Sequence, residues 1–364
     1  MDKERYNSFD GLRAIAAIGI LIMHYLANID IESITELHNS GILYSKIIPD
    51  LTLFVYLFFI ISAFSMCCGY YNRFEVKNCK SNFNTDSFYS KRYARIWPFF
   101  ALLVVIDFIM KPTLEEFYQC FADLTLAFNL LPNPHIDAIG VGWFLGVVFL
   151  FYMIFPWFVF LLQKKSRAWF ALFVAVVFHI ILMRYFLTSE FCTDYQIAAP
   201  RHNIVYSFPF FMVGGILYLY RDRLENPNNV YIYALFAIVF SVCQIIFAPI
   251  IFGENILFVL ILFIFWVLYA MTGGIQFGSF KFLDNRLMRF LSNISMEIYL
   301  CHMVMFRIIE KLYIGNLIGN VHVYYWTICI IGILFSISFS WIVKYKVFGW
   351  LGNRFPMLAW ISPK

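Results

Sequence analysis

Apolar runs of about 17–25 residues recur along the whole chain, separated by short polar turns, and that recurrence decides the solvent in which it can fold. A helix needs roughly 20 apolar residues to cross a hydrocarbon core about 30 Å thick. Composition agrees: 62% of residues are hydrophobic, 21% aromatic and only 13% charged, too few polar groups to clothe a water-soluble domain of this length. A barrel is excluded, because barrel strands alternate polar and apolar over short segments, whereas these runs are apolar on every side. The expected fold is an all-α polytopic membrane helix bundle of about ten transmembrane helices, near 12–29, 49–71, 95–110, 141–162, 168–187, 204–220, 230–249, 255–272, 290–311 and 323–343. The stretch 114–131 reads as an interfacial helix. Leu114, Phe117, Tyr118, Phe121, Leu124 and Phe128 form an apolar stripe at helical spacing, while Glu115, Glu116 and Asp123 are polar.

Orientation follows from lysine and arginine, which are retained on the cytoplasmic side during insertion. One side of the ten-span arrangement holds Lys3, Arg5, Arg73, Lys77, Lys80, Lys91, Arg92, Arg95, Lys164, Lys165, Arg167, Arg221, Arg223, Lys281, Arg286, Arg289, Lys344, Lys346, Arg354 and Lys364. The other has Lys46, Lys111 and Arg201 beside Asp30, Glu32, Glu36, Glu190 and Asp194. Both termini are therefore expected in the cytoplasm. The net charge of +5 is explained by these loops, so nucleic acid is not an expected partner. A single membrane domain over 1–364 is expected, with no internal repeat and no separate soluble domain. No cleavable signal peptide is expected, because the first ten residues are polar and the first apolar run is long enough to stay as a span. The eight cysteines show no metal-ligand spacing. Only Cys120 and Cys192 fall on the side where a disulfide is chemically open to them.

Function must then lie in polar groups, since an ionisable side chain at membrane depth costs several kcal/mol unless a site uses it. Within FDGLRAIAAIGILIMHY, residues 9–25, Arg13 and His24 stand eleven positions apart. At about 100° and 1.5 Å per residue they lie roughly 20° apart around the helix and roughly 16 Å apart along it, Arg13 near the cytoplasmic surface and His24 deep. For a lone pair of this kind a snorkelling arginine and a hydrogen-bonded core histidine are the commoner account.

The pair is not alone. Arg13-x10-His24 resembles the opening of the acyltransferase-3 family of membrane O-acyltransferases. Further matches follow in order: Leu53-Phe-Val-Tyr-Leu-Phe-Phe-Ile-Ile-Ser62-Ala-Phe64 is similar to DLFFVLSGF, and Phe88-Tyr-Ser-Lys91-Arg92-Tyr-Ala-Arg95-Ile-Trp-Pro98 to F-x-x-R-R-x-x-R-I-x-P. Trp143-Phe-Leu145 with Phe151-Tyr152 and Pro156 is similar to W-S-L…F-Y-x-x-x-P, and Ser295-Met-Glu-Ile-Tyr299-Leu-Cys-His302 to S-Y-x-I-Y-L-x-H. The resemblance runs from residue 9 to about 345. Two positions depart from it: Ala63 replaces a usual glycine, and Val148 stands where many members carry glutamate. The W-F-L form resembles the branch holding capsule and fucose O-acetyltransferases and membrane glucan modifiers.

The resemblance implies transfer of an acetyl or similar acyl group from cytoplasmic acyl-CoA to a hydroxyl of an extracytoplasmic or lipid-linked glycan, by a multi-pass protein of the bacterial inner membrane. His24 is the expected catalytic residue. An imidazole can take the proton of the attacking hydroxyl, or be acylated itself, and both routes need the neutral ring that burial favours. Arg13 clamps the donor in one reading and pairs with Asp10 in another. Arg92 and Arg95, three apart on one helix side, hold CoA phosphates in one reading and only anchor the cytoplasmic loop in the other. His302 and Glu297 either assist or pack. Trp143 stacks on sugar or is an interfacial tryptophan. No metal constellation, nucleophile elbow or phosphate-binding glycine loop is present in the sequence, so acetyl-CoA is expected as donor substrate with no bound cofactor. A transporter or saccharide flippase predicts inverted repeats that the sequence lacks; an inactive scaffold of the same fold is the remaining alternative.

Overall fold

The computed structural model describes residues 5–74, 76–77, 80–81, 83–130, 139–187, 200–247, 256–277, 280–312 and 318–362. Lys3, Cys79, Glu190, Cys192, Asp194 and Lys364 lie outside them, and with Cys192 the one pairing of cysteines that the sequence left chemically open. Among the described residues thirteen helices of eight or more residues carry the fold: α1 Ser8–Asn28, α2 Ile31–Ser40, α3 Leu43–Phe74, α4 Thr85–Met110, α5 Leu114–Leu124, α6 Trp143–Leu162, α7 Lys165–Phe186, α8 Ile204–Leu219, α9 Pro227–Phe247, α10 Ile256–Met271, α11 Arg286–Asn293, α12 Ser295–Glu310 and α13 Val321–Arg354. Among the described residues the strands are two two-residue antiparallel ladders, Val76–Lys77 with Lys80–Ser81 and Gln276–Phe277 with Phe280–Lys281. The fold is an all-α membrane helix bundle.

Among the described residues seven helices are long and apolar enough to cross a membrane, namely α1, α3, α4, α6, α7, α9 and α13, and α8 and α10 are shorter apolar helices. The expected span 290–311 is different. It breaks at Ile294 (φ −115°, ψ 12°) into α11 and α12. Ser292, just before the break, directs its hydroxyl to Asp10 at 2.8 Å, and Ser295 directs its own to the Ser292 carbonyl at 2.9 Å. Side-chain bonds thus replace the helical ladder there. α12 is only about 24 Å long at 1.5 Å per residue, and it buries Glu297 to His302 without a break, with Val304 to Phe306 and Ile309 beyond. Ser295, Glu297 and His302 are shielded from lipid by protein, the condition under which ionisable residues persist at membrane depth.

Helix ends follow local chemistry. Asn84, Asn203, Asn285 and Asn320 each cap a helix by accepting a backbone N–H two or three residues on. Thr113 accepts from Glu116 N at 3.1 Å, opening α5 with a T-x-x-E sequence. Asp30 closes the turn after α1 and opens α2 through Ser33 N at 2.9 Å. α10 stops at Gly273 and Gly274, whose φ values of +88° and +71° only glycine adopts freely.

The chain forms two compact units, one of residues 6–58 and 221–343, the other of 1–5, 59–220 and 344–364. In the first, α1 is central and packs against α10, α11, α12, α13 and the start of α3. Gly11 lets it approach the backbone of Leu283, where a Cβ would meet the carbonyl oxygen at 2.5 Å. In the second, α6, α7 and α8 pack together around stacked rings, Phe151 on Phe211 at 4.0 Å and Phe59 on Phe144 at 5.2 Å. Gly214 of α8 meets Ile60 and Ala63 of α3, where a Cβ would lie 2.2 Å from the Ile60 carbonyl. The glycine of this close pair stands on α8, so alanine is accommodated at 63, as small residues let membrane helices touch.

The surface is inverted relative to a soluble protein. Only 11% of the apolar stretch of α7, and as little of α9, is buried, leaving Phe170, Phe173, Tyr231 and Leu235 bare. Soluble monomers do not expose such faces. In α5 the aromatic stripe of Leu114, Phe117, Tyr118 and Phe121 points outward and Asp123 is buried, the opposite of a soluble amphipathic helix and fitted to lipid contact. Cys120 on its inner face is a free thiol that donates to the Val104 carbonyl at 3.7 Å; burial, reinforced by Glu116, Asp123 and Asp107, pushes it up to about 11.

Candidate active site

The 3.6-residue period of α1 puts Arg13 and His24 on one stripe, and each meets a different part of the first unit. At the N-terminal end Arg13 Nη1 lies 3.5 Å from Asp10 Oδ1, itself buried and also accepting the Ser292 hydroxyl at 2.8 Å. The pairing with Asp10 that the sequence left open is thus present. It joins α1 to α11 through a carboxylate that would be costly to bury unpaired.

Eleven residues on, half-buried His24 meets the fully buried His302 of α12. His24 Nδ1 lies 3.0 Å from the Ile20 carbonyl and 3.2 Å from His302 Nε2, and the ring centroids are 5.0 Å apart at 41°. His302 Nδ1 is 2.6 Å from the Tyr299 carbonyl. Two tyrosine hydroxyls hold the flanking backbone. Tyr25 donates to the His302 carbonyl at 3.1 Å, and Tyr325 of α13 donates to the Ile22 carbonyl at 2.9 Å. Gly332 of α13 makes room for the Tyr25 ring: a Cβ there would lie 2.1 Å from it. Glu297 is buried on the same helix as His302, one turn before Cys301, whose thiol reaches Ser340 Oγ at 3.5 Å.

Sequence spacing led to His24, and a shared depth to His302. The tyrosines, Gly332 and Ser292 were missed. A signal for Tyr25 and Tyr325 existed, since a tyrosine within a span needs a partner for its hydroxyl, but the partner's identity belongs to the tertiary structure.

Arg92, Arg95 and Trp143 belong to the second unit. Arg92 sits in an aromatic cage, with its guanidinium 5.0, 5.7 and 5.6 Å from the ring centroids of Tyr70, Phe88 and Tyr152 and Nη2 donating to Tyr70 at 2.9 Å. Its Nε is buried without a hydrogen-bond partner among the described residues, a vacancy that buried donors rarely show. Arg95 is exposed. Trp143 opens α6 and is buried; the His202 ring stacks on it at 4.5 Å and 10°, and the Arg201 guanidinium lies 5.3 Å from its centroid. A sugar stacking there would meet a ring that already has these neighbours. Among the described residues no group of three or more His, Cys, Asp or Glu side chains gathers as a metal site.

Chemically, the first unit presents an imidazole on a central helix, backed by a second imidazole and oriented by backbone carbonyls. That arrangement suits proton abstraction or nucleophilic attack. The sequence profile of the acyltransferase-3 family, described as an acyltransferase domain, matches residues 6–344. An uncharacterized protein of Haemophilus influenzae is 27% identical over 188 residues, covering 46% of this chain and 74% of that protein. No solved structure matches. The profile spans nearly the whole chain, including both histidines and the Arg92 segment, and the chain therefore belongs to the acyltransferase-3 family of membrane acyltransferases.

Proposed function

We propose that this membrane acyltransferase moves an acetyl group, or a closely similar acyl group, from cytoplasmic acyl-CoA to a hydroxyl of an extracytoplasmic or lipid-linked glycan, in the inner membrane of a bacterial cell. The observation that carries the reading is His24, a half-buried imidazole on the central helix whose Nδ1 is held by the Ile20 carbonyl and His302. A hydroxyl is too weak an acid to attack a thioester without a base beside it. Arg92 supports the donor side, because a guanidinium with a buried, unused Nε fits a phosphate oxygen, and Arg95 adds exposed positive charge one turn on. Arg13, at the other end of the stripe from His24, adds positive charge for the donor while Asp10 holds it. Glu297 is assigned to the polar interior of α12 and Trp143 to the acceptor's side.

Labelled acetyl-CoA is supplied to membranes holding the wild-type protein or His24→Ala, together with glycan extracted from the native host, and label is followed into glycan. Wild-type incorporation that the well-folded variant lacks is the expected result, and mass analysis of the product names the acceptor. Equal incorporation by both would remove His24 from the chemistry. Incorporation by neither, with acetyl, succinyl or longer acyl-CoA, would leave a transporter or an inactive scaffold as the reading.

A further inference from the structure

The two histidines carry a direction. In a helix the Cα–Cβ bond tilts toward the N-terminus, and both rings lean back on their own helices, His24 Nδ1 on the carbonyl four residues earlier and His302 Nδ1 on the carbonyl three earlier. A carbonyl oxygen only accepts, so each Nδ1 carries a hydrogen, and in a neutral imidazole the other nitrogen then carries a lone pair. His302 Nε2 is thus an acceptor, and it faces His24 Nδ1–H at 3.2 Å. The bonds run one way, from His24 to His302 to the Tyr299 carbonyl. The reverse direction would set a lone pair against a carbonyl oxygen at both rings. The outcome for His24 is specific: its lone pair is on Nε2.

We propose that His302 is a positioning residue for acyl transfer: as a second acceptor on His24 Nδ1–H beside the Ile20 carbonyl, it holds the ring with Nε2 as the base and steadies the imidazolium that forms. This rests on the reading of His24 as the residue at the chemistry. In the step, the acceptor O–H bond breaks as its proton passes to His24 Nε2, the oxygen bonds to the thioester carbon, and the C–S bond breaks. The proton then passes from Nε2 to the leaving thiolate. Ester and free CoA thiol are the products, and His24 is neutral again. While His24 is charged, its Nδ1–H donates to the Ile20 carbonyl and His302 Nε2, much as a buried acceptor orients a catalytic histidine in hydrolases. The Tyr25 hydroxyl fixes the carbonyl of His302 itself, so the acceptor ring has little freedom to turn away.

Two substitutions separate this role from packing. His302→Leu keeps bulk but removes the acceptor, whereas His302→Gln restores an amide oxygen near the place of Nε2. Full-length protein in lipid nanodiscs is assayed with labelled acetyl-CoA and glycan extract, with size-exclusion profiles checking each variant's fold, and ¹⁵N NMR of histidine-labelled protein reads the tautomers. We expect His302→Leu to lower kcat about 100-fold with KM for acetyl-CoA within about twofold, His302→Gln to regain roughly tenfold, and the His24 Nδ1 resonance, still protonated on the Ile20 carbonyl, to shift in the Leu variant and return toward wild type in the Gln variant. A hydrogen on His24 Nε2 in the wild type overturns the proposal without any activity measurement. Equal activity of His302→Leu and wild type, beside an inactive His24→Ala, overturns it while the parent reading stands. Equal impairment of Leu and Gln variants with an unchanged Nδ1 resonance shows packing and overturns it too. Full activity of His24→Ala removes the parent reading and this one together.

Discussion

His24 and His179 are both histidines inside apolar helices, and both point Nδ1 at a backbone carbonyl, yet their surroundings differ. His179 of α7 reaches the Tyr206 carbonyl of α8 at 2.9 Å, packs its ring 4.4 Å from the Tyr206 ring and is buried. Its hydrogen bond joins two helices. His24 reaches a carbonyl of its own helix, joins nothing through that bond, and instead meets another imidazole while staying half-buried. One histidine uses its polar atoms to fasten structure, as interhelical bonds do in lipid. The other is oriented by a carbonyl of its own helix and by a second imidazole. The lesson is that an ionisable residue at membrane depth is read from what its polar atoms meet, not from its depth alone.

The largest expected effect tests that difference directly. His24→Ala should lower transfer about 10³-fold, near 4 kcal/mol in the barrier, while thermal unfolding in detergent shifts by no more than one interhelical hydrogen bond, that to His302, is worth, up to about 1.7 kcal/mol. A variant that unfolds early while keeping most of its activity would reverse the assignment of roles.

The surroundings of His24 give the next effect. Gly332→Ala would place a methyl 2.1 Å from the ring of fully buried Tyr25, whose hydroxyl holds the His302 carbonyl. Overpacking of this kind costs about 1–3 kcal/mol, and here it also shifts the backbone of His302. Stability and transfer should both fall, and the double variant Gly332→Ala with Tyr25→Leu should recover stability but not full transfer. If the second substitution restores nothing, the clash is not the cause.

Much of this was legible before the fold was known, for reasons that also set the limit. Lipid imposes long apolar runs, so the helices could be read as such, and the 3.6-residue period placed Arg13 and His24 on one stripe. The break at Ile294 escaped because hydropathy averages over a window, and 290–311 is apolar enough to read as one span. What interrupts it is a hydroxyl of Ser292 bonding to Asp10, 282 positions away. The outward stripe of α5 was legible as that of an interfacial helix, because Leu114, Phe117, Tyr118 and Phe121 recur at helical spacing among acidic residues. The histidine pair was seen only as two residues at similar depth. Its direction depends on the Ile20 and Tyr299 carbonyls, and no spacing rule encodes which nitrogen faces them.

The smallest effect closes the comparison from the other side. In His179→Leu, side-chain volume is roughly kept and the bond to the Tyr206 carbonyl is lost. That carbonyl stands near the N-terminal end of α8, a few residues from Pro209 inside the helix, so the tie it receives from α7 fixes how the two helices meet. Interhelical hydrogen bonds in membranes are worth about 0.6 kcal/mol on average and up to about 1.7. Unfolding in detergent should shift by an amount in that range, and transfer should stay within about threefold of wild type. A loss of transfer as deep as that of His24→Ala, at unchanged stability, would place His179 in the chemistry and dissolve the contrast. A loss of stability with transfer retained leaves lipid-depth histidines of two kinds in one chain, one bonded across a helix interface to a backbone carbonyl alone and one paired with a second imidazole.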